Sequence, residues 1–258
     1  MLDLSVIVPT CNRAPLLRTC VERIAETRCS HEIIIVDGAS TDGTQDVVSD
    51  LLRQFGERMT YIREEQRAGF VRAANKGFRV AKGYAMCWIN DDARPLPGAL
   101  DRGVEQVRNA PSDVGFIAMF HKWHSPKNIA YQHIEGRDTF SLCHVRGTLY
   151  ANFPMGRREV WERLQHLDER FHFCGADPDL SLAAWHAGYR VEPAWGVCID
   201  HDEHDDERRA VDNPRMHEDN RRLFEKWRLP PKNPLRNDFD PSRPNTLLGL
   251  ATPARIAA

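Results

Sequence analysis

The stretch "CWINDDARPLPGAL", residues 87–100, joins an apolar run to three polar residues in succession. The apolar run, residues 86–89, ends at Asn90, Asp91 and Asp92, and a Pro-broken segment with a helix-like pattern follows. Two neighbouring carboxylates repel each other, so the arrangement is unfavourable unless a positive group lies beside them. A divalent cation is the first candidate, because Mg²⁺ and Mn²⁺ favour hard oxygen ligands. A solvated acidic turn before a helix is the alternative interpretation.

The same pattern of a strand followed by a polar turn occurs upstream, and helical segments separate the runs. Five apolar runs have the length and composition of strands: 4–8, 32–36, 59–63, 85–89 and 114–120. Segments that suit helices are 14–26, 47–52, 70–82, 158–167, 178–187 and 215–227, and short strands are predicted at 189–191 and 197–199. Alternating strands and helices with continuous apolar strands predict an α/β fold, in which a mostly parallel sheet is flanked by helices.

Polar residues directly follow three of the predicted strands. These residues are Pro9 and Thr10, then Asp37, then the Asn90–Asp92 turn. In open α/β sheets, ligands bind beyond the carboxyl ends of the strands. We therefore expect these side chains to converge on one crevice.

Composition limits the class of protein. The 258 residues are 41% hydrophobic, enough for one large domain or two small ones. A net charge of -2 gives no global positive field for nucleic acid or an acidic membrane. The seven cysteines include no Cys-x-x-Cys pair, which favours a reducing compartment over a zinc or disulfide framework. The amino terminus lacks a signal peptide and no apolar run is long enough for a membrane span, so we predict a cytoplasmic protein.

We predict one domain over residues 1–229, followed by a Pro-rich C-terminal tail over 230–258. The domain is divided into two halves, residues 1–112 and 113–229. In residues 121–155 the apolar residues do not recur at the spacing of a helix or a strand.

Two later segments carry side chains suited to chemistry. In "FHFCGADPDL", residues 171–180, Pro178 suits the first turn of a helix and Asp177 falls at the N-cap. Capping alone would account for Asp177, although a capping carboxylate stays ionised and keeps an oxygen for accepting a proton. His201 follows the predicted strand 197–199 and begins a run of acidic and His residues to Asp206. Such a run is usually a solvated face, and a metal ligand is the alternative.

Four stretches together resemble, in order, a family 2 glycosyltransferase of the GT-A (Rossmann-like) fold, which is inverting and depends on a nucleotide sugar. They are "LSVIVPTCNRAPLL", "EIIIVDGASTDGT", "GFVRAANKGFRVAKGYAMCWINDDARPLPGAL" and "FHFCGADPDLSLAAWHAGYRV". The resemblance extends from about residue 4 to residue 227. It departs from the family pattern at Gly38, where a second Asp is usual, at Asn90, the first position of the Asp-x-Asp motif, and at Ala176, where Glu is usual.

The resemblance implies roles for individual residues. Thr10 and Asp37 contact the nucleotide base and nearby sugar, and Asp91 reaches the ribose or the metal shell. The full implied set of donor-binding residues is Pro9, Thr10, Asn12, Asp37, Arg72, Asn90 and Asp91. Asp92 and His201 hold a divalent cation, Mn²⁺ or Mg²⁺, and Asp177 is the catalytic base. The resemblance also makes residues 1–112 the nucleotide-sugar-binding half and residues 113–229 the acceptor and catalytic half.

The implied substrates are a nucleotide-diphosphate sugar and a hydroxyl-bearing acceptor, which is a glycan, a lipid-linked sugar or a small metabolite, as in polysaccharide biosynthesis. Nucleic acid is not an expected partner, while peripheral membrane contact and a homodimer are left open. The alternatives are a sugar-phosphate nucleotidyltransferase and a non-catalytic relative that only binds nucleotide or glycan. The first normally has a Gly-rich basic loop after the first strand, and the turn from Pro9 to Arg13 is not of that kind.

Overall fold

The structure, a computed structural model, describes residues 2–122, 128–201, 207–229 and 239–245. Its strands are β1 (Leu4–Thr10), β2 (His31–Asp37), β3 (Met59–Arg63), β4 (Ala85–Trp88), β5 (Ala93–Pro95), β6 (Val114–His121), β7 (Ile129–Glu135), β8 (Asp138–Val145), β9 (Thr148–Leu149), β10 (Pro154–Arg157) and β11 (Arg190–His201). Its α-helices are α1 (Ala14–Ala25), α2 (Thr44–Phe55), α3 (Phe70–Val80), α4 (Ala99–Asn109), α5 (Arg158–Arg163), α6 (Ala176–His186) and α7 (Glu207–Trp227).

One half of the central sheet is parallel, in the order β3-β2-β1-β4. In this half Thr10 lies opposite Asp37, and Ile7 lies opposite Trp88. β1, β2 and β4 are buried along their whole length, which is why their sequences are continuous apolar runs. The predicted α/β fold is confirmed, and this parallel half brings the ends of β1 and β2 to the same edge.

The other half of the sheet is mixed. After β4 the order continues β10-β6-β11-β5. β10 is antiparallel to both β4 and β6, β11 is parallel to β6, and β5 is antiparallel to β11. Part of this half comes from residues 121–155, where the sequence shows no regular spacing of apolar residues. There the first strand of the β7–β8 hairpin has no fully buried residue, so burial imposes no regular apolar pattern on it.

The two short strands predicted at 189–191 and 197–199 are one strand, β11. Its pairing with β6 is irregular between Ala194 and Cys198, and this bulge interrupts the apolar pattern that a regular strand would show. Beyond the bulge β11 pairs with β5, so that His201 lies opposite Ala93. The register therefore brings the end of β11 next to Asp92, the residue before β5.

Helix α7 begins at Glu207 rather than at 215, and Pro214 lies inside it. Of the predicted tail, residues 239–245 pack on the body: the Leu149 N–H donates to the Pro244 carbonyl at 2.7 Å. The Asn245 amide both accepts from and donates to the backbone of Val191, at 3.1 and 3.3 Å. The rest of the tail and the acidic run 202–206 lie outside the described residues. Within the described ranges, no helix has the length and apolar character needed to cross a bilayer.

Candidate active site

A cleft of about 640 Å³, partly open to solvent, lies beyond the carboxyl ends of β1 and β4. The wall includes several of the residues predicted from the sequence, namely Pro9, Thr10, Asn90, Asp91, Asp92 and His201. Strand ends that are far apart in the chain thus meet at one hollow.

The adjacent carboxylates of Asp91 and Asp92 are paired with a cation from the chain itself. Nη1 of Arg13 lies 3.3 Å from Oδ1 of Asp91 and also contacts Oδ2 of Asp92. The Thr10 hydroxyl donates to Oδ2 of Asp91 at 2.8 Å. The Arg13, Asp91 and Asp92 side chains are 2%, 3% and 4% exposed, so solvent screens their attraction weakly.

Arg13 was not singled out in the sequence. The signal that would have found it is the need for a positive group beside two acids. Arg13 lies in the polar turn after β1, at the sheet edge where the Asn90–Asp92 turn also lies. The paired acids therefore have a buried guanidinium partner whether or not a metal ion binds.

His201 lies against the other side of Asp92. Its Nε2 is 3.2 Å from Oδ1 of Asp92, but not in hydrogen-bonding geometry, and neither atom has a hydrogen-bond partner within the described ranges. Burial alone would raise the pKa of Asp92, but His201 and Arg13 outweigh it and hold the pKa well below its usual value. Asp92 is therefore an ionised carboxylate with one oxygen left for a further ligand.

The two buried atoms without hydrogen bonds, Oδ1 of Asp92 and Nε2 of His201, fit a divalent cation in part. Among the described residues, no group of three His, Cys, Asp or Glu side chains is arranged around a common metal position. Mg²⁺ and similar ions are commonly held by one or two protein ligands, with water and substrate phosphates completing the shell. The residues present suit a cation that is shared with a phosphate-bearing substrate.

Asp37 lies at the end of β2, but its side chain does not line the cleft. The residue is fully buried, and its carboxylate accepts from the Ser40 N–H at 3.0 Å, the Ser40 hydroxyl at 2.5 Å and the Tyr61 hydroxyl at 2.7 Å. The adjacent Gly38 does line the cleft. In this structure Asp37 holds the loop after β2 in place.

Asn12 and Arg72 also lie outside the cleft wall. Oδ1 of Asn12 accepts from the Thr41 N–H at 2.7 Å, and the Asn12 N–H donates to the Ser40 hydroxyl at 2.8 Å. Asn12 thus joins the loops after β1 and β2. The Arg72 side chain is 58% exposed and lies 4.0 Å from Glu169, because α3 directs Phe70 and Ala73, not Arg72, towards the cleft.

The expectation that Asp177 caps α6 is wrong. The N-cap is Gly175, with φ +80°, and Asp177 is the second residue of the helix and makes no capping bond. Its Oδ2 accepts from the Tyr150 hydroxyl at 3.0 Å. Pro178 does lie in the first turn, as predicted. The Asp177 carboxylate is therefore not committed to the helix end, but Asp177, unlike Asp92 and His201, is not among the residues that line the cleft.

The electrostatic setting of Asp177 differs from that of Asp92. Burial raises the pKa of Asp177 to about 7, although the Tyr150 hydroxyl and the positive charge of protonated His201 act to lower it. His201 is thus close enough to influence Asp177 as well as to contact Asp92. A carboxyl group with a pKa near neutrality suits proton transfer at physiological pH.

Comparison with known proteins gives the family. The family model described as Glycosyl transferase family 2 matches residues 5–173, more than half of the chain. The chain belongs to glycosyl transferase family 2. The matched range includes the donor-side residues from Pro9 to Asp92 and ends before Asp177 and His201.

Similar proteins include two glycosyltransferases and one solved structure. The chain is 29% identical over 136 residues to glycosyltransferase GlyG of Streptococcus pneumoniae, which covers 52% of this chain and 44% of that protein. It is 30% identical over 137 residues to the PGL/p-HBAD biosynthesis glycosyltransferase of Mycobacterium tuberculosis, which covers 52% of this chain and 48% of that one. The chain thus spans about half the length of these relatives.

The solved structure is mannosyltransferase PcManGT from Pyrobaculum calidifontis, in complex with GDP-Man and Mn²⁺. It matches 94% of this chain and 67% of its own, with a TM-score of 0.66 and 22% identity. At that identity the likeness shows the fold, and the predicted GT-A architecture is confirmed.

Residues that the sequence did not single out also line the cleft of this family 2 protein, among them Cys11, Glu64, Arg67, Phe173 and Asp212. Cys11 and Glu64 directly follow β1 and β3, so the rule that ligands bind beyond strand ends could have found them. Arg67 and Phe173 lie in loops and Asp212 lies within α7, where no local pattern identifies them.

Gly69, another wall residue, lets two loops of the cleft approach each other. It has φ +96°, and a Cβ atom there would lie 2.5 Å from the His172 ring. We expect Gly69→Ala to lower the free energy of unfolding by about 2–4 kcal/mol, from backbone strain and overlap together. Urea unfolding would measure the loss.

The control for Gly69 is Gly136→Ala. Gly136 also has a positive φ, +62°, but nothing lies within 4 Å of an added Cβ, so only the conformational cost of about 1 kcal/mol applies. Equal losses in the two variants would contradict the close approach of His172.

Proposed function

We propose that this family 2 protein is an inverting glycosyltransferase that moves a sugar from a nucleotide-diphosphate donor to an acceptor hydroxyl. The observation that supports it most is the position of His201. This residue contacts Asp92 at 3.2 Å and is also near enough to Asp177 to influence its carboxylate electrostatically. Asp92, which suits a diphosphate-bound cation, and Asp177, which suits proton transfer, thus both lie near His201.

The donor occupies the part of the cleft at the ends of β1 and β4. The backbone of Pro9 and Gly38 and the Thr10–Asp91 pair form its walls. Asp37 acts on the donor through the loop that it holds, since its oxygens are engaged by Ser40 and Tyr61. Arg13 holds Asp91 and Asp92 in fixed positions beside the diphosphate.

Asp92 and His201 are the residues that would hold a divalent cation, Mn²⁺ or Mg²⁺, together with the donor phosphates. Such a cation, when bound, neutralises negative charge that develops on the leaving diphosphate. Arg13 lies in contact with Asp92 and supplies a second positive charge at the same place.

Asp177 removes the proton from the acceptor hydroxyl. The acceptor oxygen forms a bond with the anomeric carbon while the bond from that carbon to the diphosphate oxygen breaks, and its electron pair leaves with the diphosphate. Attack from the face opposite the leaving group inverts the anomeric configuration. Tyr150 orients the carboxylate through its 3.0 Å hydrogen bond.

The rate of transfer should rise with pH through the pKa of Asp177, which is about 7, because the base must be ionised to accept a proton. Tyr150→Phe removes a hydrogen bond that stabilises the ionised carboxylate, so we expect this limb of the pH–rate profile to move to higher pH. Tyr84→Phe is the control, since Tyr84 precedes β4 at the edge of the sheet away from the cleft. An unmoved limb in Tyr150→Phe would remove Tyr150 from this role.

The proposal as a whole is tested with a panel of UDP, GDP, dTDP and CMP sugars and Mn²⁺. A glycosyltransferase releases the nucleotide slowly by hydrolysis when no acceptor is present, and NMR of the freed sugar reports inversion. A nucleotidyltransferase would instead require pyrophosphate or a nucleoside triphosphate. A protein that only binds would release nothing. We also propose that the protein is cytoplasmic. Its acceptor is proposed to be a glycan, a lipid-linked sugar or a small metabolite that carries a hydroxyl group.

A further inference from the structure

We propose that Asp219 in α7 is a positioning residue that fixes the backbone segment leading to Asp177. The inference rests on the function proposed above, because it assigns Asp177 the role of base. The contact itself does not depend on that function and can be measured separately.

The Asp219 carboxylate accepts hydrogen bonds from three successive backbone N–H groups. It accepts from His172 at 3.1 Å, from Phe173 at 2.9 Å and from Cys174 at 3.0 Å. Asp219 is 1% exposed, and Arg222, one turn further along the helix, contacts its other oxygen at 2.9 Å. Successive amides that point at one anion form a concave binding site for negative charge, and here the anion comes from a distant helix.

The held segment has a direct connection to the base. It ends at Gly175, whose φ of +80° sets the start of α6, and Asp177 is the second residue of that helix. Phe173, in the middle of the segment, lines the cleft. A shift of residues 172–174 would therefore move both the wall of the cleft and the helix end that presents Asp177.

A second acidic residue of α7, Asp212, makes a similar contact on the donor side of the cleft. Asp212 lines the cleft and accepts from Nη2 of Arg67 at 2.5 Å, while Nε2 of His172 lies 3.4 Å from its other oxygen. Asp212 and Asp219 are seven residues apart, which places them on one face of α7 and about 10 Å apart along its axis. α7 thus connects the loop before α3 with the segment before α6.

Two explanations of the Asp219 contact predict different results. A carboxylate that only stabilises the fold would, when neutralised, loosen the whole cleft, so nucleotide affinity and turnover would fall together. A positioning residue affects turnover and leaves donor binding nearly unchanged, because a displacement of about 1 Å at a reacting group costs up to about 10²-fold in rate.

The experiment compares Asp219→Asn with Glu218→Gln, an exposed neighbour on the same helix. The first variant keeps the shape but sets an NH₂ group against either the backbone N–H donors or the Arg222 guanidinium. The second removes one charge from an exposed side chain that makes no such contact with the described residues. Hydrogen exchange at residues 172–174, binding of UDP or GDP with Mn²⁺, and kcat with the active donor are measured for both. Asp219→Glu, which keeps the charge, is the variant to use if Asp219→Asn does not fold.

In Asp219→Asn we expect faster hydrogen exchange at the amides of residues 172–174. We also expect kcat to fall by roughly 10²-fold while the nucleotide Kd stays within about twofold of the wild-type value. Glu218→Gln should match wild type in all three, and Asp219→Glu should lie between wild type and Asp219→Asn. Unchanged exchange, unchanged kcat, or equal losses of kcat and nucleotide affinity would each overturn the proposal. If wild type itself transfers no sugar from any donor, the proposed function fails, and the exchange measurement still decides whether Asp219 holds the segment.

Discussion

Asp177→Asn should lower kcat for sugar transfer by about 10²–10⁴-fold, the contribution expected of a positioned general base. An amide cannot accept the acceptor's proton, while the shape of the side chain and its contact with Tyr150 are kept. Nucleotide affinity should stay within about twofold, because the lost interaction is made only in the transition state. Steady-state transfer assays and calorimetric nucleotide titrations would measure the two effects.

A loss of fold cannot account for this expected loss of turnover. The pKa of Asp177 is raised to about 7, above the value of ~3.9 of an unperturbed Asp. Ionising Asp177 therefore costs folded stability as the pH rises from about 4 through 7, and Asp177→Asn removes that cost. At pH 8 the variant should melt no lower than wild type.

The control for Asp177→Asn is Asp138→Asn, which neutralises an exposed carboxylate at the start of β8, paired with Lys122 at 2.8 Å. It should transfer sugar at the wild-type rate. Wild-type turnover by Asp177→Asn itself would remove Asp177 from the role of base.

The parts of this protein that could be predicted from sequence are those in which burial determines the residue pattern. β1, β2 and β4 were predicted to within two residues at each end, because strands buried on both faces need continuous apolar runs. β3 was predicted with its observed bounds although only Met59 in it is fully buried. The polar turns that follow β1 and β4 then fall at the cleft from topology alone. In β7, where no residue is fully buried, the apolar pattern and the prediction were both lost.

The position of the site could be predicted from the sequence, but the ion pair between Asp92 and Arg13 could not. The contact of Arg13 with Asp92 depends on a tertiary approach that is not visible in local sequence. His201 was placed beside Asp92 by the family resemblance, and it reaches that position through the register of β11 against β5. The orientation of Asp37 shows the same limit: its place at the end of β2 was predicted, but its engagement by Ser40 and Tyr61 depends on the loop and on the neighbouring strand.

Asp92→Asn tests the second large effect, the contribution of a metal ion. We expect Mn²⁺ affinity of the protein with bound nucleoside diphosphate to fall at least about 10²-fold, since even residues outside the first ligand shell contribute about 10–100-fold. Transfer should fall by roughly 10³-fold, as several kcal/mol of charge stabilisation are lost. Asn is preferred to Ala because it retains a carbonyl acceptor for Arg13, whose guanidinium also keeps Asp91 as a partner, and so limits the penalty of an uncompensated buried charge.

Asp200→Asn is the matched control for the metal experiment. Asp200 precedes His201 in β11, so its side chain points to the opposite face of the sheet, where it lies 3.2 Å from Arg94. Electron paramagnetic resonance of Mn²⁺ in the presence of UDP or GDP would separate the two variants, because Asp200→Asn should titrate as wild type does. If Asp92→Asn binds Mn²⁺ as tightly as Asp200→Asn, then Oδ1 of Asp92 is not a metal ligand. The positive charge beside the leaving diphosphate would then come from Arg13, which contacts Asp92.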